Sequence, residues 1–395
     1  MDAPQKLLSR DFVLLFLLTT CCNCYLAISY CLEQWLARQG VAASTCGVLI
    51  AALPLMVLLV RPLASWSLIG RDKRPAMVVS IGISSLVMLA FPLVPSSHVV
   101  ELVLCLRVVQ GIALAVYSSC TTAVLVSCIP PGQGARGFAL FSLTLLLPFS
   151  VIPTIAEQLL AIVGDEARLF AWSTLLGAPA LAMLPPLAAR LRAEQEPDSV
   201  FAGISRAQLW HSVRHSGLFF VFLACMLFSV MTNQAIIFMK GLCTVTGGMP
   251  GLFFSVYTGT IMVLRLSCSQ MLDRLPAHVT TMLASLALAF VMLGIGFGPV
   301  WARAPFSLAY GLALGLLYPL LAGVVVDRSL PEARTLNSNL MMTCFDASGV
   351  IAPLLGGVIV QAGLGYRGVF AANAVAVLAC GLCMLLDWLR SRKTV

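Results

Sequence analysis

This sequence is short of charge. Of its 395 residues only 10% are Asp, Glu, Lys or Arg, against roughly 25% in an ordinary soluble domain, while 60% are hydrophobic. That balance excludes a water-soluble globule of this size. Histidine is also sparse: His98, His211, His215 and His278 fall in connections or near the ends of apolar runs, without metal-ligand spacing, so no metal site is expected. A phosphate-binding glycine loop ending in Lys-Ser/Thr is missing, as is any catalytic constellation, so neither a nucleotide nor another cofactor is implied and an enzyme is not expected.

Cysteine is plentiful, yet its fourteen copies sit almost entirely inside apolar runs. Cys21, Cys22 and Cys24 form the densest group, and Cys380 and Cys383 are one helical turn apart. Without polar neighbours to support a metal or redox site, they read as small apolar packing residues. The net charge of +8 is spread along the chain rather than gathered into a patch, so nucleic acid is not an expected partner.

What the sequence has in abundance is long apolar runs. They cover about residues 12–32, 44–67, 76–95, 99–128, 137–163, 168–189, 217–240, 248–272, 277–299, 304–326, 337–361 and 367–389. A membrane-spanning helix takes about 20 apolar residues, and at roughly 33 residues per span and connection the chain has room for about twelve. The expected fold is all-α with twelve transmembrane helices. The first run follows Lys6 and Arg10 but lacks a small-residue cleavage site, so it reads as a retained span rather than a signal peptide.

An even number of spans puts both termini on one side, and the distribution of Lys and Arg selects it. One set of connections carries Lys6, Arg10, Arg71, Lys73, Arg74, Arg136, Arg190, Arg192, Arg206, Arg214, Arg274, Arg328, Arg334, Arg390, Arg392 and Lys393; the opposite set carries only Arg38, Arg168, Lys240, Arg303 and Arg367. Both termini are expected in the cytoplasm, with the protein in a cell membrane, the inner membrane if bacterial. The most polar connection separates an N-terminal bundle, 1–190, from a C-terminal bundle, 217–395. The linker, 191–216, reads either as a solvated tether or as an amphipathic surface helix, because Phe201, Ile204, Leu209 and Trp210 interleave with Arg206 and Arg214.

The two halves echo one another. Arg61 to Pro75 is repeated by Arg265 to Pro276, Gln110-Gly111-Ile112-Ala113 by Tyr310-Gly311-Leu312-Ala313, and Val151-Ile152-Pro153 by Val350-Ile351-Ala352-Pro353. The last two echoes share an offset of about 200 residues. Parallel repeats of this kind suit a carrier that rocks one half against the other around a central site.

With these motifs the chain resembles the major facilitator superfamily of secondary transporters. Arg107-Val108-Val109-Gln110-Gly111 matches the family's Arg-x-x-Gln-Gly pattern on the fourth span. The family's loop between spans two and three has a small residue, an Asp four positions later and a basic cluster. Here Ser65, Arg71, Lys73 and Arg74 are present but Ile69 stands in the Asp position and Asp72 is displaced. The second copy is closer, with Ser269, Asp273 and Arg274. The resemblance implies that such an Asp locks the outward-facing state by pairing across the halves, a role Asp273 can inherit. Arg61, Arg71, Lys73, Arg74, Arg265, Asp273 and Arg274 thus make up a candidate conformational latch. Ala352-Pro353-Leu354-Leu355-Gly356-Gly357 is similar to the fifth-span motif of drug/proton antiporters, whereas Ile152-Pro153-Thr154-Ile155-Ala156-Glu157 lacks its glycines. Gly251 to Tyr257, leading to Arg265, resembles arabinose-efflux and metallophore-export permeases.

A charge at the centre of a bilayer costs at least about 2.5–3.5 kcal/mol, so charges inside the spans are candidates for mechanism. Arg107, Glu157 and Asp346 are the proton-coupling candidates, each with a structural ion pair or hydrogen bond as the alternative; Arg107 and Glu157 lie at similar depth on successive spans. Glu33 and Glu101, near the outer face, are weaker candidates. The resemblance implies that spans one, four, seven and ten line the cavity. Candidate cavity residues are Asn23, Gln110, Tyr117, Asn233, Gln234, Tyr257, Tyr310 and Tyr318, with interhelical hydrogen bonding or packing as their alternative. The expected function is secondary transport of a small organic solute, either proton-coupled export or proton-driven import of a sugar or organic acid, by a monomer. A receptor without flux on the same scaffold is the remaining reading.

Overall fold

The computed structural model describes residues 7–192 and 205–391, apart from the side chains of residues 25, 30, 43, 44, 153, 154 and 157. Lys6, Phe201, Ile204, Arg392, Lys393 and the Glu157 side chain therefore lie outside the described residues.

Among the described residues every regular element is helical. The first half contains α1 (Arg10–Ile28, continuing through a tight turn into Leu32–Arg38), α2 (Ala43–Leu68), α3 (Arg74–Ala90) and α4 (Val99–Cys128). It continues with α5, in two pieces (Gly134–Phe141 and Leu143–Val163), and α6, which starts at Glu166–Ser173 and reaches Arg192 in short segments. The second half contains α7 (Phe219–Thr246), α8 (Pro250–Leu272), α9 (Ala277–Phe297), α10 (Arg303–Arg328), α11 (Arg334–Ile359) and α12 (Gly365–Ser391). A linker helix, Arg206–His215, precedes α7.

Ten helical stretches are long and apolar enough to span a bilayer, and the bent pair Glu166–Ala182 and Pro185–Arg192 makes an eleventh. The last stretch, Pro331–Ser391, has 61 residues, far more than the roughly 20 that cross the hydrocarbon core. Gly363, at φ 86°, kinks it. A residue with a Cβ rarely adopts that backbone conformation, so glycine allows the chain to turn between α11 and α12. Counted across this break, the described residues make up the expected twelve spans.

The chain forms two compact units, Met1–Pro130 with Phe141–Leu209, and Pro131–Leu140 with Trp210–Val395. The same helix pairings recur in each. In the first unit α4 packs on α2 and α3, α1 on α5 and α6, and α3 on α6; in the second α10 packs on α8 and α9, α7 on α11 and α12, and α9 on α12. The repeated glycines explain part of this. A Cβ on Gly111 would come within 2.6 Å of Met56 Cβ and 2.8 Å of the Leu53 carbonyl oxygen; on Gly311 it would come within 2.7 Å of the Tyr257 carbonyl oxygen and 2.8 Å of Thr260 Cβ. Each glycine lets two helix backbones approach closely, the usual role of small residues where membrane helices cross.

The first helix runs further than its apolar stretch predicts because Trp35 and Leu36 are buried. Trp35 stands edge-on to Phe91 at 5.7 Å, and Phe91 edge-on to Phe170 at 5.0 Å. Arg38 beyond them pairs with the fully buried Glu166 at 3.1 Å.

Candidate functional site

Within the spans of the first unit, Arg107 on α4 is buried. Its guanidinium donates to Gln110 Oε1 at 3.0 Å, one helical turn away, and to the Ile50 carbonyl of α2 at 3.5 Å. The Gln110 amide in turn meets Met88 Sδ on α3. Gln110 and Tyr117 line a small cavity with Cys22, Leu26, Ile81, Ser84 and Leu114. Its volume of about 20 Å³ suffices for roughly one water. Asn23 lies outside that cavity and ties α1 to α5, donating to the Thr144 carbonyl at 3.0 Å.

The second unit uses its polar residues in a related way. Asn233 on α7 donates to Ser348 Oγ on α11 at 2.6 Å, and Gln234 donates to the Ala352 carbonyl at 3.2 Å. Both residues act here in the interhelical role that sequence reasoning held as the alternative to solute contact. Tyr257 and Tyr310 pack edge-on at 5.3 Å, each about 5 Å from Phe253, so the three rings form one aromatic cluster between α8 and α10.

A second chain of contacts joins several predicted residues. The buried Arg265 on α8 lies over the ring of Tyr318 on α10, 5.3 Å from its centroid. Tyr318 stands edge-on to Phe345 on α11 at 5.4 Å. Next along the helix is Asp346, half-buried in the middle of α11. Arg265, Tyr318 and Phe345 are thus joined across three helices, and Asp346 follows Phe345 in the sequence of α11.

The two copies of the interhelical loop behave differently. Asp273 follows α8 and accepts the backbone N–H of Arg136 at 2.9 Å, in the first turn of Gly134–Phe141. The first N–H groups of a helix have no partner within it and carry positive partial charge, so a carboxylate is favourable there. Burial raises the Asp273 carboxyl above the ordinary carboxylate range, and the Arg136 N–H opposes that rise. The approach is tight: a Cβ on Gly323 of α10 would lie 2.8 Å from the Ala135 nitrogen, and one on Gly134 would lie 3.0 Å from Gly323 Cα. Asp327 closes the same site, its carboxylate about 3.1 Å from that Gly134 position.

Asp72, in the first copy, folds back on its own loop. It accepts from Arg74 Nε at 2.8 Å, from Arg74 Nη2 at 2.6 Å and from the Arg74 backbone N–H at 2.9 Å. The hydrogen bonds from Arg74 hold its carboxyl below the usual range. Arg61 and Arg265, at matching positions of the two copies, are both buried; Arg71 and Arg274 are exposed, while Lys73 is buried and its backbone N–H reaches the Leu191 carbonyl.

Sequence reasoning missed Asp327, whose position at the end of an apolar run was its only signal. It also missed Asp387, buried at the end of α12, which accepts from Arg328 and lies 2.9 Å from His278 Nε2. These three residues come from the ends of three helices and fasten them together. Among the described residues no three His, Cys, Asp or Glu side chains are grouped to hold a metal ion.

The sequence matches the Major Facilitator Superfamily over residues 12–309 and again over 244–394. The chain belongs to that superfamily. Solved structures with the same fold include the human organic anion transporter MFSD10, at 17% identity and a TM-score of 0.71, covering 97% of this chain and 100% of that one. The proton:xylose symporter XylE, bound to 6-bromo-6-deoxy-D-glucose, is similar at 13% identity and a TM-score of 0.71, covering 97% and 94%. A bacterial homologue of the iron transporter ferroportin, in its outward-facing state, reaches a TM-score of 0.74 at 13% identity, covering 96% and 99%. No curated protein sequence matches the chain. A multi-pass membrane protein of a transporter superfamily is therefore the assigned class.

Proposed function

We propose that this superfamily member exports a small organic solute in exchange for protons by alternating access. The observation that supports the reading is an acidic residue, Asp346, half-buried in the middle of the apolar helix α11. Keeping an acidic group at that depth is costly unless it is used or paired, and a carboxylate that loads and releases a proton changes the relative stability of the two end states. Arg107 with Gln110 supplies a fixed positive charge in the first unit. Asp273, accepting the Arg136 amide, is the candidate latch of this reading. The similarity of Ala352 to Gly357 and of Gly251 to Tyr257 to efflux carriers favours export over import.

The direction is tested by comparing metabolites and toxicity in cells lacking and overproducing the protein. Export predicts a compound that accumulates inside on deletion and falls on overproduction. A compound that instead stays in the medium on deletion would reverse the assigned direction.

A further inference from the structure

A second cavity lies away from the residues discussed for transport. It has a volume of about 230 Å³ and is lined by Trp66, Ser67, Ile69, Gly70 and Arg71 at the end of α2, and by Ser205, Arg206 and Leu209 at the start of the linker helix. All eight residues belong to the first unit. Its construction follows from local sequence. Gly70, at φ 66°, lets the chain turn just after α2. Ser205 and Gln208 form a reciprocal cap: Ser205 N–H donates to Gln208 Oε1 at 2.8 Å, and Gln208 N–H donates to Ser205 Oγ at 3.2 Å. The cap fixes where Arg206 starts the linker helix and leaves the Ser205 hydroxyl proton free to donate.

The lining contains two guanidinium groups and no carboxylate. Neither Arg71 nor Arg206 has an ion-pair partner among the described residues, and both are exposed. The nearby acid, Asp72, is already engaged by Arg74. Two cations without an ion pair among the described residues, facing one cavity with a hydroxyl donor beside them, suit an anion with several acceptor oxygens, and arginine suits phosphate in particular. The cavity opens where an apolar span ends, and Trp66 and Leu209 give it an apolar wall. Tryptophan is characteristic of that depth in a bilayer, and basic pockets beside membrane helices take the headgroups of anionic lipids.

We propose that this cavity binds the phosphate of an anionic phospholipid headgroup, fastening the start of the linker helix to the end of α2. The chemistry recognised is a phosphate group; the apolar wall at the membrane surface assigns it to a lipid rather than to free phosphate. The linker helix then acts as a surface element held by lipid.

The test uses the full chain in detergent, with lipid retention read by native mass spectrometry during titration with phosphatidylglycerol or phosphatidylcholine. Phosphatidylglycerol should bind preferentially, and its retention should weaken as ionic strength rises. Arg71→Gln with Arg206→Gln should weaken that binding by roughly thirty-fold, about fivefold per arginine. Arg71→Lys with Arg206→Lys should retain most of it, and Arg168→Gln should leave it unchanged. Equal retention of both lipids, or binding indifferent to salt, would overturn the proposal; the salt series does so on the wild-type protein even if the neutral variant fails to fold. Displacement of phosphatidylglycerol by inorganic phosphate alone at comparable concentration would overturn the lipid assignment.

Discussion

The loop after α2 and the loop after α8 descend from one pattern, and they are put to different uses. After α8 the aspartate leaves its own segment and caps a helix 137 residues away in sequence. After α2 the expected position holds Ile69, and the displaced Asp72 closes on Arg74 two residues later. A shift of three positions turns a long-range contact into a local one. The lesson is that duplicated motifs in the two halves need not share a role: the second copy sends its Asp to a distant helix, while the first leaves Arg71 beside a cavity with no ion pair among the described residues.

The difference can be broken by substitution. The largest effect is expected where backbones touch. Gly323→Val drives side-chain atoms into Ala135 and should destabilise the second unit by about 1–3 kcal/mol, as overpacking does, seen as a lower Tm of the purified protein. Gly82→Ala in the first unit, where an added Cβ meets nothing within 4 Å, should leave Tm unchanged or slightly raised. Asp273→Ala comes next: it orphans the Arg136 N–H and should cost about 0.5–2 kcal/mol, the range for a lost helix cap. Asp273→Asn keeps an acceptor and removes a partly buried charge, so it should cost much less than Asp273→Ala. If the two variants melt alike, the amide contact is not what holds the second loop.

The pH dependence of the two loops should have opposite signs. The folded carboxyl of Asp273 is raised, so its contribution is full below the ordinary carboxylate range and falls as pH rises through the raised value. That of Asp72 is lowered, so its contribution is present above the ordinary range and is lost as pH falls through the lowered value. Comparing Tm against pH for wild type, Asp273→Asn and Asp72→Asn isolates the two slopes; matching slopes would contradict the assignment. The smallest effect belongs to Asp72→Asn near neutral pH, where losing a solvent-screened loop pair should barely move Tm.

Much of the architecture was legible because a bilayer enforces it. Spans are long and apolar, and Gly111 and Gly311 sit 200 positions apart because both mark the same helix crossing. Span ends were harder to read: Trp35 and Leu36 extend α1 through packing against Phe91 and Phe170, partners invisible locally. In the candidate site, Asn23, Asn233 and Gln234 announced themselves as polar groups in apolar helices. Whether such a group meets a solute or a neighbouring helix depends on which way it faces, and each was found donating to the adjacent helix. The contacts that join Arg265, Tyr318 and Phe345 draw on α8, α10 and α11, so no single stretch of sequence contains them. Asp327 and Asp387 escaped notice because an acid at the end of a span normally meets water.

The central claim, that a proton taken up within the spans drives transport, is tested most directly in proteoliposomes. Flux of the solute identified by metabolite comparison is measured with and without an imposed pH gradient, for wild type and Asp346→Asn. The account predicts that the gradient drives wild type to concentrate the solute, whereas Asp346→Asn only equilibrates it. Flux that follows the solute gradient alone, identical in both proteins, would contradict it.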